Sequence, residues 1–230
     1  MKLGILTDIH ANLAAFQAVL PFFEGCEKIL CAGDFVNLGP RPEETVQLAM
    51  SLPNLVAVTG NHEGRILSDP VRSRKGPEAL AHYTWTRSRL SRDSLQWLGS
   101  LPPRQVLTLG GKTVALQHYG LRDGGHCRRI RERPTDDDLR ELFPDAPDVV
   151  VFGHDHHGCI RRVDGTLFLN CGACGCPGHA RSIARAAILH LEEGQVEILR
   201  IPYDVSPVIK EMQSLDYPDL PHILRAFYKV

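Results

Sequence analysis

The run Lys2-Leu3-Gly4-Ile5-Leu6-Thr7-Asp8-Ile9-His10 decides the fold. Lys2–Thr7 is a short, continuous and mostly apolar stretch, the pattern of a strand buried on both faces. It ends abruptly in polar chemistry at Asp8-Ile9-His10. The same design recurs twice: Lys28–Ala32 runs into Gly33-Asp34, and Leu55–Thr59 runs into Gly60-Asn61-His62-Glu63. Between these strands, Asn12 offers an N-cap for an apolar-periodic helix over Leu13–Phe23. Pro42 suits a first helical turn, and Glu43–Leu52 continues it. Residues 1–62 therefore read strand-helix-strand-helix-strand, with polar groups after each strand. The carboxyl ends of parallel strands are where α/β sheets place their sites.

Further along, Pro77–Leu90 and Arg92–Leu98 read as helices that stop at Pro102-Pro103. Three hairpins follow from their turn residues: Val106–Leu109 with Thr113–Gln117 around Gly110-Gly111, Cys159–Val163 with Thr166–Asn170 around Asp164-Gly165, and Ala184–Leu191 with Gln195–Ile201 around Glu193-Gly194. Asp136–Phe143 reads as a short helix, and Val149–Phe152 as a strand leading into Gly153-His154. Two packed sheets with helices outside are the architecture this order implies, and residues 1–230 read as one domain. The stretch Tyr217–Leu224 packs either on this domain or on a neighbouring molecule.

Composition narrows the setting. Lys and Arg total 26 against 27 Asp and Glu, a net charge of −1 that gives no general pull toward nucleic acid or membrane. No stretch approaches the ~18–20 apolar residues of a membrane span. The N-terminal apolar run is too short for a secretion signal, so the expected location is cytoplasmic. On that expectation the seven cysteines are reduced thiols, and Cys171, Cys174 and Cys176 are small buried side chains in a Gly-rich turn.

The polar groups form one chemical set. Asp8, His10, Asp34, Asn61, His118, His154 and His156 supply two carboxylates, one amide oxygen and several imidazoles, each at the end of a presumptive strand. Such ligands suit two adjacent divalent metals, a device that hydrolyses phosphate esters. Mn, Fe, Zn, Co or Ni would be accepted, with Mn favoured.

The ordered motifs Asp8-Ile9-His10, Gly33-Asp34, Gly60-Asn61-His62-Glu63, His118 and Gly153-His154-Asp155-His156 resemble the calcineurin-like metallophosphoesterases, across the chain from Asp8 to at least Asn170. The resemblance implies an α/β fold, a four-layer αββα sandwich of two mixed β-sheets flanked by helices. It also implies roles. Asp8, His10 and His156 hold one metal, Asp34 bridges, and Asn61, His118 and His154 complete the second site. A hydroxide between the ions attacks the phosphate, and His62 assists the leaving alkoxide.

Several residues depart from the family. Asn37 and Leu38 stand where protein phosphatases carry an aspartate and an arginine, which argues against a phosphoprotein or dinucleoside tetraphosphate substrate. Asn37 is retained as a candidate substrate contact. Asp155 replaces a common threonine, and is either a hydrogen-bond partner of a ligand histidine or a solvated carboxylate. Asn170 is expected on the phosphate side of the pocket. In the basic stretch 126–133, Arg128 and Arg129 are candidate substrate contacts, the alternative being a solvated connector. His82, His179, His190 and His222 carry no motif and read as structural.

The resulting expectation is a phosphodiesterase acting on a small or nucleotide-like ester. The diester preference rests on the absence of an extra arginine to hold a dianionic monoester. The alternatives are a phosphomonoesterase or protein phosphatase on the same site, and a non-catalytic scaffold on the same fold.

Overall fold

The computed structural model describes residues 1–68, 77–176 and 182–230; His179 lies outside them. The chain opens with β1 (Lys2–Leu6), α1 (Leu13–Val19), β2 (Lys28–Cys31), α2 (Pro42–Met50) and β3 (Leu55–Ala57). It continues through α3 (Asn61–Leu67), α4 (Pro77–Ser88) and α5 (Arg92–Ser100) to β4 (Arg104–Leu109) and β5 (Lys112–Gln117). Next come α6 (Asp136–Leu142), β6 (Val149–Val151), β7 (Cys159–Val163) and β8 (Thr166–Asn170). The last elements are β9 (Ile183–His190), β10 (Gln195–Pro202), α7 (Ser206–Ser214) and α8 (Leu220–Ile223).

Two mixed five-stranded sheets result, ordered β10-β9-β1-β2-β3 and β4-β5-β6-β8-β7. In the first, β1, β2 and β3 are parallel, and the β9–β10 hairpin pairs antiparallel to β1. In the second, β5, β6 and β8 are parallel, with β4 and β7 antiparallel at the edges. All three expected hairpins form.

Alternation along the strands builds the layers. Leu3 and Ile5 of β1, Leu30 of β2, Val149 and Val151 of β6, and Leu167 and Leu169 of β8 meet between the sheets. Their neighbours point outward. Leu6 and Cys31 pack with Phe16, Val46 and Leu98 from α1, α2 and α5. Val150 and Phe168 pack with Leu139 and Leu142 of α6. The chain is thus helix on sheet on sheet on helix, with both sheets buried on two faces, as near-continuous apolar strands require.

Local departures from the sequence reading have local causes. The first helix stops at Val19 and tightens into a 3₁₀ turn over Leu20–Phe23, because Pro21 has no N–H to continue the ladder. A helix that apolar periodicity did not indicate, α3, begins at Asn61 itself, since Asn-His-Glu-Gly-Arg is polar throughout. The C-terminal segment packs on its own chain: Tyr217, Ile223 and Tyr228 join Leu38, Trp85 and Met212 in one cluster.

Leu30 is fully buried between the sheets. Leu30→Ala is expected to lower unfolding free energy by about 2–5 kcal/mol, read from denaturant titration.

Candidate metal centre

The parallel strands of both sheets deliver their polar ends to one place. Asp8 and His10 follow β1, Asp34 follows β2, and Asn61 and His62 open α3 after β3. His118 follows β5, while His154 and His156 follow β6. The backbone there is strained: Asp8, His10, Asp34 and His154 all have positive φ, between 53° and 68°. Such left-handed conformations cost an ordinary residue roughly 1 kcal/mol or more and concentrate at functional sites. Two glycines permit close approach. A Cβ on Gly60 would collide with the Asp34 carboxylate, and one on Gly153 with the Thr7 hydroxyl.

Each carboxylate is held by one oxygen and presents the other. Asp8 Oδ2 accepts from the Thr7 hydroxyl at 2.8 Å and the His154 N–H at 3.1 Å. Its Oδ1 is buried without a hydrogen-bond partner and lies 3.4 Å from His156 Nε2 and 3.7 Å from His10 Nε2. Asp34 Oδ1 accepts from the His62 N–H at 2.8 Å. Its Oδ2 faces His118 Nε2 at 3.2 Å and both His10 Nε2 and His62 Nε2 at 3.9 Å. The imidazoles are aimed in the same manner. His118 Nδ1 donates to the Ala32 carbonyl at 2.7 Å, and His156 Nδ1 to the Cys176 carbonyl at 2.9 Å, so both point Nε2 inward.

These atoms converge in overlapping groups: Asp8, His10 and His156 form one, and Asp34, His118 and His154 another, with His10, Asp34 and His62 between them. The donor set fits divalent cations. A buried carboxylate oxygen without a donor, beside two Nε2 atoms that face each other at 3.2 Å, is an arrangement a cation would satisfy. Asn61 adds its amide, with Oδ1 3.1 Å from His118 Nε2. Turned over, the amide would donate to His118 Nε2 at 3.1 Å and His154 Nδ1 at 2.7 Å.

The charges follow from these contacts. Burial disfavours ionised Asp8 and Asp34, yet His156 and His118 hold both carboxyls well below their usual range. Burial also opposes protonation of His118 and His156, but Asp34 and Asp8 outweigh it and raise both imidazoles. His154 goes the other way: burial, then the charge of His118, lowers it to about 4. Burial likewise keeps His62 well below the ordinary value.

Glu63, to which the sequence reading assigned no role, organises the site. Its fully buried carboxylate accepts from Gly60 N at 2.7 Å and Asp34 N at 2.9 Å through one oxygen. The other accepts from Phe35 N at 2.8 Å and Val36 N at 3.3 Å. Burial and the nearby Asp34 charge push its pKa up to about 7. An Asn-His-Glu triplet gives no hint that the third residue grips the preceding strand's loop.

The remaining candidates separate. Asn37 is 2% exposed and meets His62 rather than an open pocket: its Nδ2 lies 2.8 Å from His62 Nδ1, and its Oδ1 accepts from the Thr86 hydroxyl at 3.2 Å. Asp155 is neither solvated nor bonded to a ligand histidine. It is buried, accepts from Arg133 N at 2.9 Å and pairs with His157 Nδ1 at 2.9 Å. Asn170 ties loops together, donating to the carbonyls of Gly153 and Asp155. Arg128 lines the cleft beside Asn61 and His154, whereas Arg129 lines an adjacent groove with Arg131 and Glu141. Cys171, Cys174 and Cys176 are buried free thiols whose pKa values burial raises. An arginine does stand at the site: Arg65, one helical turn after Asn61.

Glu63→Gln would set an amide NH₂ against backbone N–H groups, and a loss of about 2–3 kcal/mol in stability is expected from denaturant titration. Because raised His118 and His156 imidazoles compete with a cation, metal binding should release protons and weaken as pH falls through their pKa values. Calorimetry in buffers of different ionisation enthalpy checks this.

A model of the calcineurin-like phosphoesterase superfamily domain matches residues 1–194. The chain is 27% identical to the uncharacterized protein MJ0912 of Methanocaldococcus jannaschii, over 94% of both chains. It is 25% identical to phosphodiesterase MJ0936 of the same organism, over 84% of this chain and 95% of that one. Among solved structures, a metallophosphoesterase from Sphaerobacter thermophilus superposes with a TM-score of 0.80 at 28% identity, covering 98% of each chain. Protein PH1004 of Pyrococcus horikoshii OT3 shares the fold, with a TM-score of 0.85 at 18% identity over 98% of this chain and 97% of that one. The motifs stand in family order, the two-sheet fold is shared, and the family model spans most of the chain, which belongs to the calcineurin-like phosphoesterase superfamily.

Proposed function

We propose that the protein is a phosphodiesterase that uses two divalent metals, with Mn favoured, on a small or nucleotide-like ester. The observation that carries this is Asp34 Oδ2: a single carboxylate oxygen that faces His118 on one side and His10 on the other. Asp8, His10 and His156 would hold one ion, and Asn61, His118 and His154 the other, with Asp34 shared. Bound there, the metals would supply Lewis-acid activation of water and charge neutralisation at the phosphoryl oxygens.

The chain's own contribution is orientation and proton placement. The Asn37 amide donates to His62 Nδ1, which leaves the proton on Nε2, and Nε2 is the nitrogen that faces Asp34 and the candidate ligands. A neutral imidazole held that way donates a hydrogen bond to the leaving oxygen as charge builds on it. Burial of His62, which disfavours the imidazolium, keeps this tautomer in place.

Two observations support a diester. The cleft beside Asn61 and His154 has a volume of about 510 Å³, room for a second ester substituent. A relative covering most of the chain carries the name phosphodiesterase. The absence of an arginine no longer contributes, because Arg65 is present.

We read residues 1–230 as one domain. No described helix is long and apolar enough to cross a membrane. A cytoplasmic location accords with the seven unpaired cysteines.

The test is hydrolysis of bis(p-nitrophenyl) phosphate and p-nitrophenyl phosphate with added Mn²⁺, for wild type and Asp34→Asn. Turnover of the diester above the monoester, reduced by about 10³-fold or more in the variant together with bound metal, is the expected result. Preference for the monoester would overturn the diester reading, and metal-independent turnover would overturn the mechanism.

A further inference from the structure

The cleft that opens beside Asn61 and His154 contains a cation the proposed hydrolysis does not use. Arg65 lies four residues after Asn61 on α3, so the two side chains share one helix face. Its Nη1 donates to the Tyr83 hydroxyl at 3.0 Å, which anchors the guanidinium beside the Tyr83 ring. The same nitrogen lies 3.2 Å from the Asn61 amide, on the end facing away from His118 and His154. Arg65 therefore stands one side chain farther along the cleft than the candidate ligands.

Its charge has no ion-pair partner among the described residues. Among the described residues no carboxylate lies within ion-pair distance of Arg65, whereas Arg131, Arg140 and Arg161 each pair with an aspartate. A half-buried guanidinium without a counter-ion is a ready acceptor for an anion, and its fork suits phosphate oxygens. The cleft wall strengthens this. Arg128 and His126 line it as well, and among the described residues no acidic residue does.

Gly64 supplies an independent observation. It sits inside α3, where glycine is a poorer helix former than alanine. Its φ is not in the left-handed region, and a Cβ there would meet no atom of the described residues within 4 Å. Neither backbone conformation nor packing calls for a glycine. What lies over it is the cleft, whose floor it keeps low.

We propose that this cleft is a subsite for a second anionic group of the substrate, with Arg65 as its specificity-determining residue and Gly64 as its floor. The substrate class is then a phosphate ester that carries a further phosphate beyond the one undergoing hydrolysis. The proposal rests on the phosphodiesterase reading for the position of the scissile phosphate.

Calorimetric titration of the Mn²⁺-loaded protein with adenosine 5′-monophosphate and adenosine 3′,5′-bisphosphate tests it. Wild type should bind the bisphosphate about tenfold tighter or more, the scale of one charge-assisted contact. Arg65→Ala should bring the ratio of the two affinities close to one. Gly64→Leu should weaken the bisphosphate without lowering the melting temperature, since leucine is the better helix former. A wild-type ratio near one overturns the subsite. Equal weakening of both nucleotides in Arg65→Ala also overturns it, by assigning Arg65 to the scissile phosphate, and unchanged affinity in Gly64→Leu removes the cleft as the location. Turnover of bis(p-nitrophenyl) phosphate is scored separately: its absence with the affinity ratio intact would remove the phosphodiesterase reading and leave the subsite.

Discussion

Two buried carboxylates, Asp34 after β2 and Glu63 in the first turn of α3, make opposite demands, and the site depends on meeting both. Asp34 must stay ionised with almost no water around it, and it does so by standing among His10, His62 and His118. Glu63 lies close by with no cation of its own, and four backbone N–H groups take the place of one. Those four donors come from the loop after β2 and from the start of α3. Those hydrogen bonds to Glu63 lock together the segments that carry Asp34, Asn61 and His62. An uncompensated carboxylate here would cost several kcal/mol, so the loop geometry and the charge pattern stand or fall together.

The sheets make such an arrangement affordable in conformational terms. Parallel strands buried on both faces end at one level, and each polar group begins where the apolar alternation stops. Positive φ at Asp8, His10, Asp34 and His154 turns the chain sharply at that level, so carboxylates and imidazoles face inward instead of continuing along the sheet. The rigid layers beneath hold these strained turns in place. The C-terminal helices contribute from the side. Tyr228 and Tyr217 pack with Leu38 in the loop that also carries Asn37, the residue that orients His62.

Much of this was legible because it depended on local patterns. Apolar runs of strand length, the Gly-containing turns and the polar residues at strand ends are sequence-local signals, and they located both sheets and every candidate ligand. What escaped was set by tertiary contact. Helix α3 has no apolar period, since its role is to present Asn61, His62, Glu63 and Arg65 to different neighbours. Asn37 looked like a substrate contact because its partner, His62, is distant in sequence. Asp155 read as a partner of a ligand histidine or a solvated carboxylate, and Asn170 as a pocket residue; both are loop staples whose bonds reach across turns. Arg65 was invisible for the same reason: no motif marks an arginine whose place is set by Tyr83, 18 residues away.

That last omission bears on how substrate choice is built. The candidate ligands recognise features every phosphate ester shares, namely a phosphoryl centre and a leaving oxygen, so they set reactivity without setting identity. Discrimination has to come from groups beyond them, and it is strongest where a buried or half-buried polar group goes unpaired with the wrong substrate. Arg65 is such a group: anchored on Tyr83, adjacent to Asn61 and facing a cleft that Arg128 and His126 also line. Its placement on the same helix as Asn61 and His62 couples the two tasks. Any movement of α3 that altered the specificity cleft would also displace the histidine and the amide at the reaction centre, and Glu63 resists that movement by tying α3 to the loop after β2. The same buried carboxyl group that assembles the reactive centre therefore also holds the specificity wall at a fixed distance from it.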